Sequence, residues 1–331
     1  MKKLKIGIIG FGKMGRIRLD AIKKSGRAQV IAIFDPNPIE NLEKTINIVS
    51  SAELVLEQAI DAVFICTPNN FIKPFTLLAL EKGIHVFAEK PPGINLEEAL
   101  EMQNKEQEIK ESVLMFGFNH RHHGSVAKMK EIIQNGSLGK VLWMRGRYGK
   151  EVDENYLTDW RVNPSQSGGG IMLDQGIHML DLFLYLGGDF DEVKAFVSNL
   201  YWKLPGIEDN VFAIFKNNQT GLCASLHSTM TQWRYLFSLE LFLEKGSLIL
   251  NGLKTSSGAY GDEILTIRKN NIPFVAGKSN QEEQIHFKED FSWDLEIEHF
   301  FDSIKNKQTP TLGNSTDAVK LMSAIKKIYQ N

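Results

Sequence analysis

Short apolar runs alternate with longer amphipathic stretches through the first 120 residues of the chain. The first run, at residues 4–9, leads into a glycine-rich turn and an amphipathic stretch that extends to about Lys24. The same alternation then predicts strands at 29–34, 61–66, 84–92 and 112–119 and helices at 52–59, 70–82 and 95–110. Ser50 with Glu53, and Asn95 with Glu98, have the spacing of a capping box. Strands that alternate with helices predict a parallel, doubly wound sheet.

The pattern changes after about residue 120. A helix is predicted at 124–135, an alternating strand at 139–149, a strongly apolar helix at 168–187, strand-like runs between 190 and 270 with a hairpin turn at 216–221, and amphipathic helices near 292–306 and 315–329. We therefore predict an α/β Rossmann-like domain over residues 1–120. An α+β domain with a large, mostly antiparallel, open-faced sheet is predicted over residues 121–331.

Composition narrows the range of partners. The net charge of −2 gives no sign of a nucleic-acid or anionic-membrane partner. No run approaches the roughly 18 apolar residues of a membrane span, and the basic N-terminus is followed by no cleavage pattern, so it is interpreted as a first strand. Cys66 and Cys223 lie far apart in predicted strands. We expect buried free thiols and a cytoplasmic protein.

Gly10, Gly12 and Gly15 form a G-x-G-x-x-G motif between the first predicted strand and helix. In such a motif the glycines allow a tight turn, a close approach of pyrophosphate and close helix–strand packing. Asp35 ends the next strand, where a carboxylate would bind the adenosine ribose. The alternative is that Asp35 is only a turn residue before Pro36. A carboxylate here with no arginine directly after it favours NAD over NADP.

The apolar helix predicted at 168–187 carries a carboxylate and an imidazole. Asp174 and His178 are four residues apart behind Gly168–Gly170, so they would share one face of that helix. Taken alone, the pair is interpreted equally well as a satisfied buried pair or as the border of a reaction site.

Five motifs in order resemble the glucose–fructose oxidoreductase/inositol dehydrogenase family, also called Gfo/Idh/MocA, over essentially the whole chain. The motifs are the glycine-rich turn, Asp35-Pro36, Thr67-Pro68, Glu89-Lys90-Pro91 and the stretch Gly-Gly-Gly-x₃-Asp-x₃-His at 168–178. Pro92 departs from the family, whose members usually have an aliphatic residue there. The resemblance implies cofactor-binding residues Gly10, Phe11, Gly12, Lys13, Met14, Gly15, Asp35, Thr67, Pro68, Asn69, Glu89 and Lys90.

The resemblance also implies that Lys90, Asp174 and His178 face the nicotinamide together as catalytic residues. Oxidation of a secondary alcohol needs a base for the hydroxyl proton, and imidazole titrates near neutral pH. Lys90 would hold the same oxygen and stabilise negative charge, while Asp174 would bind a neighbouring hydroxyl or orient the imidazole. Lys and His sometimes exchange roles in this family, so the identity of the base stays open.

Other residues resemble positions of the family's substrate pocket. They are Asn119, Arg121, His122, Tyr148, Trp160 and Arg161, in addition to Asp174 and His178. The arginines would favour an anionic substrate group. The histidines at 120, 122 and 123 lie too close in sequence to complete a tetrahedral metal site, and no metal is expected.

The leading hypothesis is therefore an NAD-dependent dehydrogenase of a sugar, sugar acid, cyclitol or nucleotide sugar. The resemblance, together with Arg121 and Arg161, favours a nucleotide sugar or sugar acid from surface-polysaccharide synthesis, although no selective motif specifies it. One alternative is a glycoside hydrolase of the same family, which uses bound NAD for transient oxidation at C3; another is a sensor without turnover. The family resemblance implies a homodimer or homotetramer formed through the open sheet face.

Overall fold

The computed structural model describes residues 3–270 and 282–330, which divide into two compact units. The first unit comprises the described residues up to Asn119 together with Ser165–Gly168 and Ser292–Met322. The second comprises His120–Pro164, the described part of Gly169–Phe291, and the described residues from Ser323 onward.

The strands are β1 (Leu4–Ile9), β2 (Ala28–Phe34), β3 (Asn47–Ile48), β4 (Ala62–Ile65), β5 (His85–Glu89), β6 (Leu114–Gly117), β7 (Val141–Glu151), β8 (Glu192–Ser198), β9 (Asn210–Lys216), β10 (Cys223–Thr229), β11 (Thr231–Leu243), β12 (Gly246–Asn251), β13 (Glu263–Lys269) and β14 (Glu282–Phe287). The α-helices are α1 (Lys13–Ser25), α2 (Ala52–Leu56), α3 (Ile72–Glu81), α4 (Leu96–Ile109), α5 (Gly124–Gln134), α6 (Pro164–Ser167), α7 (Ile177–Gly187), α8 (Ser292–Asn306) and α9 (Ser315–Tyr329). Short 3₁₀ turns cover Asn69–Phe71, Asn119–His122, Glu154–Thr158 and Trp160–Val162, and Met172–Gly176 is π-helical.

The first unit is built on a six-stranded sheet ordered β3-β2-β1-β4-β5-β6, in which every pair is parallel. The strand order reverses at β1, so β1 and β4 flank the switch point where a doubly wound sheet binds its ligand. The helix α8 follows the second sheet in the chain but supplies Ile297, Phe300 and Phe301 to the core of the first unit.

Side-chain caps begin two of the helices in this unit. The Asn95 side chain accepts a hydrogen bond from the Glu98 backbone N–H at 2.9 Å, as the capping-box spacing predicts. The cap predicted at Ser50 is wrong by one residue, because it is Ser51 that accepts from Leu54 N–H, at 3.3 Å. Either serine precedes the apolar run, so the pattern could not separate them.

The second unit contains an eight-stranded sheet ordered β14-β13-β12-β11-β7-β10-β9-β8. The pair of β7 and β10 is parallel, and the other neighbours are antiparallel. The helix α7 packs closely on β7 at Gly146, where an added Cβ would lie 2.4 Å from Met179 and 2.8 Å from Phe183. The two sheets confirm the predicted fold class.

Apolar side chains remain exposed on strands of this sheet. Phe196 on β8 and Phe212 and Ile214 on β9 are 79%, 52% and 60% exposed. Cys223 is also exposed and Cys66 is partly exposed, so the expectation of two buried thiols is wrong for Cys223, which begins β10 directly after the hairpin turn. Among the residues described, no helix has the length and apolar character needed to cross a membrane.

Candidate active site

The glycine-rich turn in the first unit depends on the absence of side chains. Gly10 has a φ of 88°, and a Cβ added there would lie 2.5 Å from the Cys66 carbonyl oxygen. A Cβ at Gly15 would lie 2.3 Å from the Gly10 carbonyl oxygen, whereas a Cβ at Gly12 would meet nothing within 4 Å. Gly10 and Gly15 are therefore required by the fold itself. The open space at Gly12 fits the close approach of a dinucleotide pyrophosphate at the start of α1.

Asp35, directly after β2, stabilises this turn through its carboxylate. One carboxylate oxygen accepts a hydrogen bond from Phe11 N–H at 2.6 Å, and the other accepts from Asn37 N–H at 2.8 Å. The contact with Asn37 is typical of a turn residue, which is the alternative interpretation that the sequence allows for Asp35. Phe11 itself is buried, so its side chain belongs to the core.

Thr67 and Asn69 follow β4 at the switch point. The Thr67 hydroxyl is buried and has no hydrogen-bond partner among the described residues. A buried polar group without a partner is costly, so this hydroxyl suits a ligand that donates or accepts there. The Asn69 side chain instead donates to the Ser167 carbonyl oxygen at 2.7 Å. The open Gly12 and the Thr67 hydroxyl together fit the dinucleotide expected here.

Glu89 is the last residue of β5, and Lys90 follows it directly. The Glu89 carboxylate forms an ion pair of 2.6 Å with Arg18 of α1, and Arg18 pairs at the same distance with Glu296 of α8. Although burial opposes the charge of Arg18, these two carboxylates raise its pKa. Arg18 thus joins α1 to both β5 and α8, and its pair with Glu89 helps to position the chain that leads into Lys90. The peptide bond from Lys90 to Pro91 is cis.

In the second unit, the segment that carries Asp174 begins differently from the regular helix predicted at 168–187. It is π-helical at Met172–Gly176 and becomes α-helical only from Ile177. Its start is fixed by Glu208, whose buried carboxylate accepts from the backbone N–H groups of Gly170 at 2.7 Å and Met172 at 2.9 Å. Burial raises the pKa of Glu208. π-Helical turns are frequent at functional sites.

Asp174 lies between two cationic side chains. Its Oδ2 forms an ion pair with Lys150 of β7, and its Oδ1 lies 3.7 Å from the Arg161 guanidinium. The Lys150 ammonium also lies 4.5 Å from the centre of the Tyr156 ring. Burial and the nearby Asp174 charge raise the pKa of Tyr156, so its hydroxyl stays protonated. This cluster offers one carboxylate, two cations and a neutral hydroxyl, which is a set suited to a polyhydroxylated substrate.

His178 is buried one turn further along and stacks on His120, with ring centres 4.0 Å apart. His120 Nε2 is hydrogen-bonded to the Tyr148 hydroxyl at 3.0 Å. Tyr148 contacts Tyr260, and burial raises the pKa of both hydroxyls. The His178 ring therefore has a fixed orientation, which a general base requires.

The remaining sequence-predicted substrate residues have structural partners. Arg121 forms a buried bidentate ion pair with Asp181, at 2.8 and 2.6 Å. The Asn119 side chain donates to the Ser292 hydroxyl at 3.1 Å. Trp160 packs under the Arg161 guanidinium at 4.5 Å. His122 lies in the 3₁₀ turn that follows Asn119. Of the residues predicted in the second unit, Asp174 and Arg161 belong to the charged cluster, and His178 and Tyr148 belong to the group of packed rings.

Sequence reasoning missed Lys150, His120, Tyr156, Tyr260 and Glu208. Lys150 follows Tyr148 by two positions on an alternating strand, so it shares that residue's side of β7, which is a signal that could have revealed it. His120 lies beside the predicted Asn119 and Arg121 but was considered only as a metal ligand. Glu208 and Tyr260 come from distant loops, and their sequence surroundings carry no motif. Within residues 3–270 and 282–330, no group of three or more His, Cys, Asp or Glu side chains is arranged to hold a metal ion.

Comparison with known proteins places both halves of the chain in one family. Residues 4–118 match the oxidoreductase family profile for an NAD-binding Rossmann fold. Residues 126–249 match the Gfo/Idh/MocA C-terminal domain.

Two relatives and one solved structure illustrate the similarity. Myo-inositol 2-dehydrogenase of Thermotoga maritima is 27% identical over 275 residues, which cover 78% of this chain and 79% of that protein. D-glucoside 3-dehydrogenase of Escherichia coli is 36% identical over 146 residues, which cover 44% of this chain and 40% of that protein. Levoglucosan dehydrogenase in complex with NADH superposes with a TM-score of 0.85 at 21% identity, covering 99% of this chain and 96% of that chain.

At 21% identity the likeness to levoglucosan dehydrogenase shows the fold alone. The assignment to a family therefore rests on the two family profiles. They confirm the predicted family, the oxidoreductase class and NAD as the cofactor. The chain belongs to the Gfo/Idh/MocA family of NAD-binding oxidoreductases.

Proposed function

We propose that this protein oxidises a secondary alcohol of a sugar-type substrate by hydride transfer to NAD. The observation that carries the proposal is the cluster in the second unit, where Asp174 is paired with Lys150 and Arg161 and lies one turn from the stacked His178. Such a set binds several hydroxyl groups of one small molecule and removes a proton from one of them. The names of the relatives, an inositol dehydrogenase and a glucoside dehydrogenase, support the same substrate class.

In this proposal each residue has a separate task. The imidazole of His178 takes the proton of the reacting hydroxyl, and the Lys90 ammonium holds the same oxygen as negative charge develops. Asp174 accepts a hydrogen bond from a neighbouring hydroxyl, and its two cationic partners fix its orientation. Bound NAD would accept the hydride that leaves the carbon.

The cofactor would lie along Gly10–Gly15, with Asp35 at the ribose and Thr67–Asn69, Glu89 and Lys90 nearby. Arg161, together with the family's substrates, would favour an anionic sugar such as a nucleotide sugar or sugar acid from surface-polysaccharide synthesis, whereas the predicted contribution of Arg121 is weakened by its buried ion pair with Asp181.

Absorbance of NADH at its reduced-nicotinamide band tests this directly. Purified protein is mixed with NAD and a panel of sugars, sugar acids, cyclitols and nucleotide sugars, with Lys90→Met as the control variant. We expect one substrate class to yield NADH and Lys90→Met to lower turnover by roughly 10²–10⁴-fold, with NADH binding nearly unchanged. Full activity in Lys90→Met would refute its role. Cleavage of a glycoside without net NADH would replace the dehydrogenase by the NAD-dependent hydrolase, and bound NAD without any turnover would favour a sensor.

The open sheet face supports a second part of the proposal, a homodimer or homotetramer. Phe196, Phe212 and Ile214 present a largely exposed apolar surface on adjacent strands, which is typical of an interface. Light scattering should give the mass of two or four chains, and Ile214→Glu should shift it toward one chain because a charge on this face is costly to bury. A wild-type mass of a single chain would contradict the proposal.

A further inference from the structure

Four aromatic side chains of the second unit form a surface cluster, which we call the aromatic wall: Tyr201, Trp233, Tyr235 and Tyr260. The Tyr201 and Trp233 rings meet edge to face at 5.0 Å, and those of Tyr235 and Tyr260 at 5.1 Å. Tyr201, Trp233 and Tyr235 are 59%, 52% and 42% exposed. These three side chains are therefore partly accessible to a ligand.

A bulge in β11 turns two of these rings outward. Thr231 pairs with Glu151 and Leu236 with Gly149, so the four residues from 232 to 235 lie opposite the single residue Lys150. Trp233 within this bulge has a φ of 53°, a left-handed conformation that is rare for a bulky residue. Bulges and strained backbone of this kind are concentrated at functional sites, where they aim a side chain.

A buried carboxylate fixes the backbone around Tyr201, at the other end of the aromatic wall from Tyr260. Asp209 is 1% exposed, and its side chain accepts hydrogen bonds from the backbone N–H groups of Leu200 at 2.8 Å, Tyr201 at 2.7 Å and Trp202 at 3.0 Å. Tyr201 is therefore exposed on a loop with a fixed backbone. A ligand that stacks on a fixed ring loses less entropy than one that must order it.

The wall is continuous with the candidate active site. The Tyr260 hydroxyl donates to the Gln175 side chain at 3.2 Å, and Gln175 adjoins Asp174 in the π-helical segment. The Tyr260 ring also contacts Tyr148, which is hydrogen-bonded to His120 beneath His178. The bulge lies opposite Lys150, the ion-pair partner of Asp174. A ligand held at Asp174 would therefore extend toward the wall.

We infer that the aromatic wall binds a second ring carried by the sugar substrate. The inference rests on the proposed function and sharpens its substrate class: the reacting sugar bears a further ring whose flat face stacks on Trp233 and Tyr235. A second sugar unit and a nucleotide base both offer such a face. A free monosaccharide would occupy the Asp174 region and leave the wall uncovered.

The test compares kcat/KM for a monosaccharide with kcat/KM for ring-bearing derivatives of the same sugar. Glucose, cellobiose and UDP-glucose form one such set, and the panel sugar with the highest activity defines a second. We expect a ring-bearing derivative to be preferred and the preference to fall about tenfold in Trp233→Ala and in Tyr235→Ala, as the loss of one stacking contact implies. The cellobiose and UDP-glucose arms distinguish a saccharide from a base. Phe196→Ala, which removes an even more exposed ring (79%) from the open sheet face, is the control and should leave the preference unchanged.

Two further measurements separate the possible failures. Quenching of tryptophan fluorescence by cellobiose or UDP-glucose, lost in Trp233→Phe, would support the wall even if no sugar were oxidised, and only the proposed function would then fail. An unchanged preference in both alanine variants would overturn the inference. So would a fall in the light-scattering mass of Trp233→Ala, because a second copy of the chain would then cover the wall. Wild-type protein with neither preference nor quenching would overturn it as well.

Discussion

The two units use their side chains in opposite ways. In the first, the glycine-rich turn is defined by side chains that are missing: Gly10 and Gly15 have no room for a Cβ, and Gly12 leaves space for a ligand. In the second, the site is defined by side chains that are present and paired, with Asp174 between Lys150 and Arg161. The first site therefore depends on backbone shape, which one local motif encodes, and the second on charges brought together from distant segments.

Substitutions at Gly10 and Gly12 give the largest contrast. Gly10→Ala would place a Cβ 2.5 Å from the Cys66 carbonyl oxygen at a φ of 88°. We expect it to lower the free energy of unfolding by about 3 kcal/mol. Gly12→Ala meets nothing within 4 Å, so the unfolding free energy should change by less than about 0.5 kcal/mol while NADH affinity falls.

Urea unfolding and NADH fluorescence titration measure the two effects in the same pair of proteins. Equal loss of stability in both variants would show that Gly12 is also required by the fold. Unchanged NADH affinity in Gly12→Ala would remove the pyrophosphate from this turn.

A substitution of Lys150 tests whether the site in the second unit depends on paired side chains. Lys150→Met keeps the length of the side chain but removes the closer of the two cations, Lys150 and Arg161, that pair with the largely buried Asp174. The loss of a charge-assisted contact of about 2 kcal/mol should lower kcat about thirtyfold, with KM for NAD unchanged. Arg145→Met on the same strand is the control, because Arg145 is half exposed and pairs with Glu240. If the two variants had equal kcat, Lys150 would have no part in orienting Asp174.

Most of the fold could be predicted from the sequence because local patterns encode it. Apolar runs bounded by turn residues marked the five longer strands of the first sheet, whereas the two-residue β3 is too short to produce a pattern. The amphipathic helices α8 and α9 were predicted with their bounds. The pattern did not indicate that α8 packs in the first unit, since an apolar stripe fits any apolar surface.

The candidate site was less predictable for a physical reason. Asp174 and His178 were found because they interrupt an apolar helix, and the π-helical turn between Met172 and Gly176 was missed because no residue type specifies it. Arg121 was predicted as a substrate residue from its position, and its bidentate partner Asp181 lies sixty residues away in the chain. Ion pairs between distant segments form only when the fold is complete, so spacing in the sequence does not reveal them.

The smallest expected effect compares one histidine from each unit. Burial lowers the pKa of His85 in the first unit, opposed by Asp61, and burial with the Arg147 charge lowers the pKa of His227 in the second. A histidine whose folded pKa lies below its unfolded value of 6.5 binds fewer protons when folded, so its contribution to stability is complete above pH 6.5. That contribution is lost as the pH falls from 6.5 through the folded pKa.

His85→Gln and His227→Gln should each reduce the loss of stability between pH 7.5 and 5.5, measured by the urea midpoint. Added salt should weaken only the His227 effect, because it screens the partly exposed Arg147. An equal response of both to salt would show that burial alone sets the pKa of His227, and the contrast between a unit organised by backbone shape and one organised by charge would not extend to this sheet face.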